Sequence, residues 1–165
     1  MKRNNEKYRV KCGKGAFAPL PRVFLESQSL ARLSPHALKL FFDLMSQYRG
    51  FNNGDLSAAW KVMAARCWKS RDTLAKSLKE LQERGFVVMT RQGGLHKCSL
   101  FALTLYEIDD CRDLKGRSKY DAHMKPTQTP PGGWFNESSP PSLRLIKPRE
   151  EPPVHGSYIG TRQAG

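Results

Sequence analysis

The stretch NGDLSAAWKVMAARCWKSRDTLAKSLKELQERGF, Asn53 to Phe86, decides the fold of this chain. It begins in strong turn chemistry, Asn52-Asn53-Gly54-Asp55, where short polar side chains and a glycine favour a reversal. A helix is predicted over roughly Ala58 to Arg66, with Trp60, Met63 and Ala64 facing inward. Cys67-Trp68-Lys69 forms a short break. Ser70 can then cap a new helix with its hydroxyl, and Leu74, Leu78 and Leu81 recur at helical spacing as far as about Arg84. Gly85 follows as a C-cap in the left-handed conformation that glycine adopts readily.

Working outward, Ser34-Pro35 is a helix start. Serine suits the N-cap, and proline suits the first helical position, where its missing N–H costs nothing. That helix carries Leu38, Phe41, Phe42, Met45 and Tyr48 as an apolar stripe, and Gly50 ends it. Before it, Ala16-Phe17-Ala18-Pro19-Leu20-Pro21-Arg22-Val23-Phe24-Leu25 holds two prolines, so an extended segment packed along the core is expected. After Gly85 the period changes. Phe86 to Thr90 is β-rich, Gln92-Gly93-Gly94 is a hairpin turn, and Cys98 to Tyr106 is a second β-rich run. The expected class is mostly α with a small β-hairpin (α+β).

Helix, helix, short turn, helix and hairpin is the order of a winged helix-turn-helix. Over about residues 16 to 108 the chain resembles the winged helix-turn-helix DNA-binding proteins of bacterial chromosomes, plasmids, phages and integrative elements. Lys69-Ser70-Arg71-Asp72-Thr73-Leu74 opening the third helix, and Leu81-x-x-x-Gly85-Phe86 entering the hairpin, carry most of the likeness. The resemblance implies a recognition helix in the major groove and a wing on the backbone or minor groove.

The candidate DNA-binding residues follow from the helical angle. At about 100° per residue, Leu74 and Leu81 fall within about 60° of Leu78. Lys69, Asp72, Thr73, Lys76, Lys79, Glu80 and Glu83 lie opposite. Lys76 and Lys79 can reach guanine edges or phosphates, and Thr73 can donate to a base or touch a thymine methyl. Ser70 and Lys69 sit at the helix start. Arg71 lies nearer the apolar side, and its length sends the guanidinium outward to phosphate. Asp72 can cap the helix start, at the positive end of its dipole, or accept from cytosine, and capping is the preferred reading. In the wing, Arg91, Gln92, His96 and Lys97 surround the glycines with hydrogen-bond donors.

Charge agrees. Among 165 residues, 28 Lys and Arg face 15 Asp and Glu, a formal net charge of +13. A surplus of this size points to a polyanionic partner. Residues 1 to 33 hold eight basic and two acidic residues, and residues 34 to 106 hold eleven and five. Residues 107 to 165 hold nine and eight, so the surplus sits in the front two thirds. The cations Lys2, Arg3, Lys7, Arg9, Lys11 and Lys14 form a basic arm over 1–15 able to track phosphates or enter a minor groove. The winged domain is expected over 16–110. A flexible Pro-rich tail follows over 111–165, because eight of the eleven prolines fall between Pro126 and Pro153. Its apolar islands, Trp134-Phe135 and Leu143-Arg144-Leu145-Ile146, either dock on a protein partner or fold back on the domain.

Cys12, Cys67, Cys98 and Cys111 form no C-x-x-C pair. They read as reduced thiols of a cytoplasmic, nucleoid-associated bacterial protein, and no metal or cofactor is expected. No catalytic motif is found, and no apolar run reaches the ~18 residues of a membrane span. The expected function is sequence-specific double-stranded DNA binding as a transcriptional regulator, with a homodimer on a two-fold operator as the prior. The alternatives are a replication, partition or maintenance protein of a plasmid, phage or integrative element, and a winged-helix adaptor between proteins.

Overall fold

The computed structural model describes residues 18–95 and 97–136. Among them five helices and one two-stranded antiparallel hairpin make an α+β arrangement. The helices are α1 (Arg22–Leu25), α2 (Gln28–Ala31), α3 (Pro35–Met45), α4 (Trp60–Ala64) and α5 (Arg71–Glu83). The strands are β1 (Val87–Arg91) and β2 (Leu100–Leu103), and a short 3-10 turn spans Gly133–Asn136. No helix among the described residues is long and apolar enough to cross a membrane.

Both predicted serine caps are present. Ser34 accepts from the Ala37 amide at 3.2 Å and Ser70 from the Thr73 amide at 3.3 Å. Gly85 closes α5 with φ +73°. Of the segment expected to be extended, residues 18–21 are non-helical with Pro21 in the extended region, whereas Arg22–Leu25 turns into α1. Pro21 stands at the N-cap of α1, a place where a fixed φ and a missing N–H do no harm, and Ser27 caps α2. The stripe of α3 is also rotated from expectation. Ala37, Leu40, Phe41, Leu44 and Met45 are buried, whereas Phe42 is 45% exposed. A helix apolar on most sides leaves its phase open, and packing against α5 chooses it. Tyr48 lies beyond the helix and stacks on Tyr106, centroids 4.5 Å apart. The Tyr106 hydroxyl donates to the Pro19 carbonyl at 2.8 Å; burial, then the neighbouring Tyr48, pushes its pKa up to about 12.

The helix before the turn is shorter than predicted, only Trp60–Ala64, with Met63 buried and Ala64 exposed. It has no side-chain cap, and the chain leaves it through Cys67 at φ +65°, a left-handed conformation that no continuing helix contains. That turn lets the Trp68 amide reach back to the Met63 carbonyl at 3.2 Å and drops the Trp68 ring into the core.

The hairpin pairs Val87 with Leu103, Val88 with Ala102, Met89 with Phe101 and Arg91 with Leu100, with a bulge at Thr90. Leu56 adds a single antiparallel bridge beside β2: its amide donates to Phe101 O at 3.2 Å, and the Phe101 amide donates to Leu56 O at 2.9 Å. Both faces of the hairpin are covered, which explains why all four residues of β2 are buried. Val87, Phe101 and Leu103 face the main core with Phe24, Phe41, Leu44 and Leu81. Val88 and Ala102 face a second cluster of Ile108, Cys111, Tyr120 and Met124.

Packing therefore runs past residue 110, the expected end of the ordered domain. Trp134, 8% exposed, inserts edge-on against Phe24 at 5.0 Å, and its carbonyl accepts from Ser29 Oγ at 2.9 Å. The Gly132 amide donates to Thr104 O at 3.0 Å. Of the two apolar islands, Trp134-Phe135 supplies this anchor, while Leu143–Ile146 lies outside the described residues, as does the basic arm 1–15. Proline-rich composition does not prevent this, because a strap needs a few anchoring side chains rather than a core of its own.

Candidate nucleic-acid interface

The buried side of α5 is built on Leu74, Ser77 and Leu81, with Leu78 only half-buried at its edge. The helix is thus turned toward Ser77 relative to the axis that the leucines define. A serine lets α5 lie close to α3, and its hydroxyl is satisfied by the Thr73 carbonyl at 2.8 Å.

This rotation sorts the candidate residues. Lys76 and Lys79 stand on the outward ridge, their side chains 78% and 76% exposed. Lys69 is exposed in front of the helix. Thr73 is half-buried beside the N-cap, and Ser70 is occupied as that cap. Arg71 lays its guanidinium over the Trp60 ring at 5.2 Å, tying α4 to α5.

Two of the three acidic residues share the ridge. Asp72 pairs with Lys76 at 2.8 Å, and Glu83 pairs with Lys79 at 3.6 Å. The Asp72 hydrogen bond raises the Lys76 pKa. Glu80 is different from its expected place on the solvent face. It turns back onto the start of α3, accepting from the Ser34 amide at 2.8 Å and the Ser34 hydroxyl at 2.6 Å. Burial alone would raise its pKa; the two Ser34 bonds and Arg84 outweigh that and hold it low.

A second polar knot fixes the turn before α5. Asp43, 7% exposed, receives Lys39 at 2.6 Å, Arg66 Nε at 2.8 Å and Trp68 Nε1 at 2.7 Å. Burial opposes its ionisation, but these three donors together keep its pKa below the usual carboxylate range. The knot ties α3, the end of α4 and Trp68, three residues before α5 begins, into one unit.

α5 passes through Gly85 and Phe86 into β1, and helix and strand pack on each other. The tip of the hairpin is not at Gln92-Gly93-Gly94. Gly94 and Lys97 exchange backbone bonds of 2.8 and 3.4 Å around Leu95 and residue 96. The glycines lie on the approach, where Gly93 is needed because a Cβ there would sit 2.6 Å from the Ser99 nitrogen. Arg91 donates across the hairpin to the Cys98 carbonyl at 3.0 Å, so its guanidinium is engaged rather than free for phosphate. The Gln92 amide donates to Asp121 Oδ2 at 2.7 Å, leaving its side chain exposed. Lys97 is exposed, and His96 lies outside the described residues.

Leu95 was not among the expected site residues, yet it is 93% exposed at this tip. Its signal in the sequence is an apolar residue inside the otherwise polar connection Arg91-Gln92-Gly93-Gly94-Leu95-His96-Lys97. Among the described residues, no group of three or more His, Cys, Asp or Glu side chains is gathered as for a metal ion. No family model, curated protein or solved structure matches this chain.

Proposed function

We propose that this chain is a winged helix-turn-helix protein that binds double-stranded DNA, with α5 in the major groove and the β1–β2 hairpin as the wing, and that it serves as a transcriptional regulator. The observation that carries the proposal is the outward ridge of α5. Lys76 and Lys79 project there with Lys69 ahead of them, while Glu80, the acidic residue that would repel phosphate from mid-helix, is turned inward onto Ser34. The Leu56–Phe101 bridge supports this reading, since it joins the connection between α3 and α4 to the hairpin as a single-residue third edge. The ridge as a whole is balanced, with two cations and two carboxylates. Exposed pairs of this kind are weak and open readily when a phosphate competes. On this proposal the cations position the helix on the backbone, and Asp72 is placed to accept from a cytosine amino group.

The test is fluorescence anisotropy on a duplex of about three helical turns. With some six to ten phosphates contacted, affinity is expected to fall by about 10³–10⁵ between about 50 and 200 mM salt. Replacing Lys69, Lys76 and Lys79 together with alanine is expected to weaken binding at least about tenfold and to flatten the salt slope by about one for each phosphate no longer neutralised. Unchanged binding in that variant would overturn the α5 ridge as the DNA-contacting surface, and no binding by the wild type would move the assignment to a protein–protein adaptor. Genome-wide mapping of bound sites separates the biological roles. A site beside its own promoter marks a regulator, and an origin or iterated array marks a maintenance protein.

A further inference from the structure

The hairpin tip carries a feature that phosphate binding does not use. Leu95 is 93% exposed next to the Gly94–Lys97 bridge, and neither Gly94 nor Lys97 offers it an apolar side chain. A leucine in water at a loop tip contributes nothing to folding. The backbone beneath it, however, is hydrogen-bonded on both sides. Gly94 and Lys97 are bonded to each other, the Gly93 amide is bonded to Ser99 Oγ at 3.0 Å, and Arg91 bridges to the Cys98 carbonyl. From outside, Asp121 of the strap braces the Gln92 amide, and its own amide donates to the Thr90 carbonyl at 3.0 Å. The result is a hydrogen-bonded hairpin end with an apolar residue at its tip and an exposed cation, Lys97, at its side.

We propose that Leu95 is an apolar wedge that enters the minor groove and unstacks a base step, with Lys97 on the neighbouring phosphate. This rests on the DNA-binding proposal above and extends it to a class of site. Apolar side chains that enter the minor groove open a step and kink the duplex. Pyrimidine–purine steps, TA above all, open most easily, so the preferred DNA is deformable rather than only charged.

The experiment uses the full chain and two probes: a duplex of about three turns with a central TA step, and the same duplex with a mismatch at that step. Wild type is expected to prefer the mismatched duplex by about tenfold, because the unstacking has already been done. It is also expected to brighten 2-aminopurine at that step and bring the labelled ends closer. Leu95→Ala keeps the salt slope, since no phosphate contact is removed, but loses the preference, the brightening and the bend. Leu95→Met keeps all three. If Leu95→Ala retains the preference and the bend, the wedge is overturned while DNA binding stands. If wild type binds neither duplex, the DNA-binding proposal fails and the wedge fails with it.

Discussion

Asn53 is fully buried, and its side chain makes four hydrogen bonds to backbone more than forty residues away. Its Nδ2 donates to the carbonyls of Leu103, Tyr106 and Glu107, and its Oδ1 accepts from the Leu103 amide at 2.7 Å. Its own backbone is held by Asp109. One amide therefore satisfies the end of β2 and the residues that follow it together. Asn53→Ala takes the partner from the buried Leu103 amide and removes three donor bonds to carbonyls, and an unsatisfied buried group costs about 1–3 kcal/mol. Urea unfolding is expected to show a loss of about 3 kcal/mol or more, with the slope unchanged. Asn52-Asn53-Gly54-Asp55 is legible as a turn because turn chemistry is local. The hub within it is not legible, because every partner arrives from a distant part of the chain.

At the scale of the element, α5 shows how far periodicity reaches. Three leucines correctly mark a helix from Ser70 to about Arg84 and identify its two ends. They misplace its buried axis, since Ser77 packs inward while Leu78 is left at the edge. That shift withdraws Thr73 and Glu80 from the solvent face and leaves Asp72, Lys76, Lys79 and Glu83 on the ridge. Asp72→Asn removes the partner that holds Lys76. On the DNA-binding proposal, affinity for a non-specific duplex is expected to rise about threefold at low salt and the salt dependence to steepen. Anisotropy titrations at two salt concentrations check this. The Asp43 knot gives a pH prediction at the same scale. Its pKa is lowered in the folded protein, so its stabilisation is complete above the unfolded value near ~4 and is lost as pH falls through the folded value. Glu80 adds in the same direction. Thermal melts of the wild type are expected to drop steeply below about pH 4. Asp43→Asn is expected to be less stable at neutral pH and to show a flatter acid limb.

Across the whole molecule, the strap over residues 111 to 136 is as much part of the fold as the helices. It covers the outer face of the hairpin through Cys111, Tyr120 and Met124, then returns to fill the aromatic core with Trp134. Burial pushes the Tyr120 hydroxyl and the Cys111 thiol up in pKa, so both stay neutral at ordinary pH. The strap's last approach is possible only between two glycines. A Cβ at Gly133 would lie 2.7 Å from the Gly85 carbonyl oxygen, and one at Gly85 would lie 2.6 Å from the Gly133 carbonyl. Trp134→Ala is expected to cost about 3–5 kcal/mol, and Gly133→Ala to destabilise by displacing the same segment. Denaturant unfolding followed by circular dichroism measures both. If neither variant loses stability, the strap is not part of the cooperative core.

Local chemistry in the sequence was enough to determine the helix caps at Ser34 and Ser70, the left-handed stop at Gly85, the order of α3, α4, α5 and hairpin, and the location of the charge. Each of these depends on a residue and its neighbours within a few positions, so the chain carries it without reference to a partner surface. Only the tertiary structure decided which side of α3 and α5 is buried, that Glu80 and Asp43 serve as internal anchors, and that a proline-rich tail closes the core. Those depend on volume and hydrogen-bond partners supplied from far along the chain. A helix amphipathic on more than one face, or a tryptophan in a polar tail, has no preferred neighbour until close packing provides one.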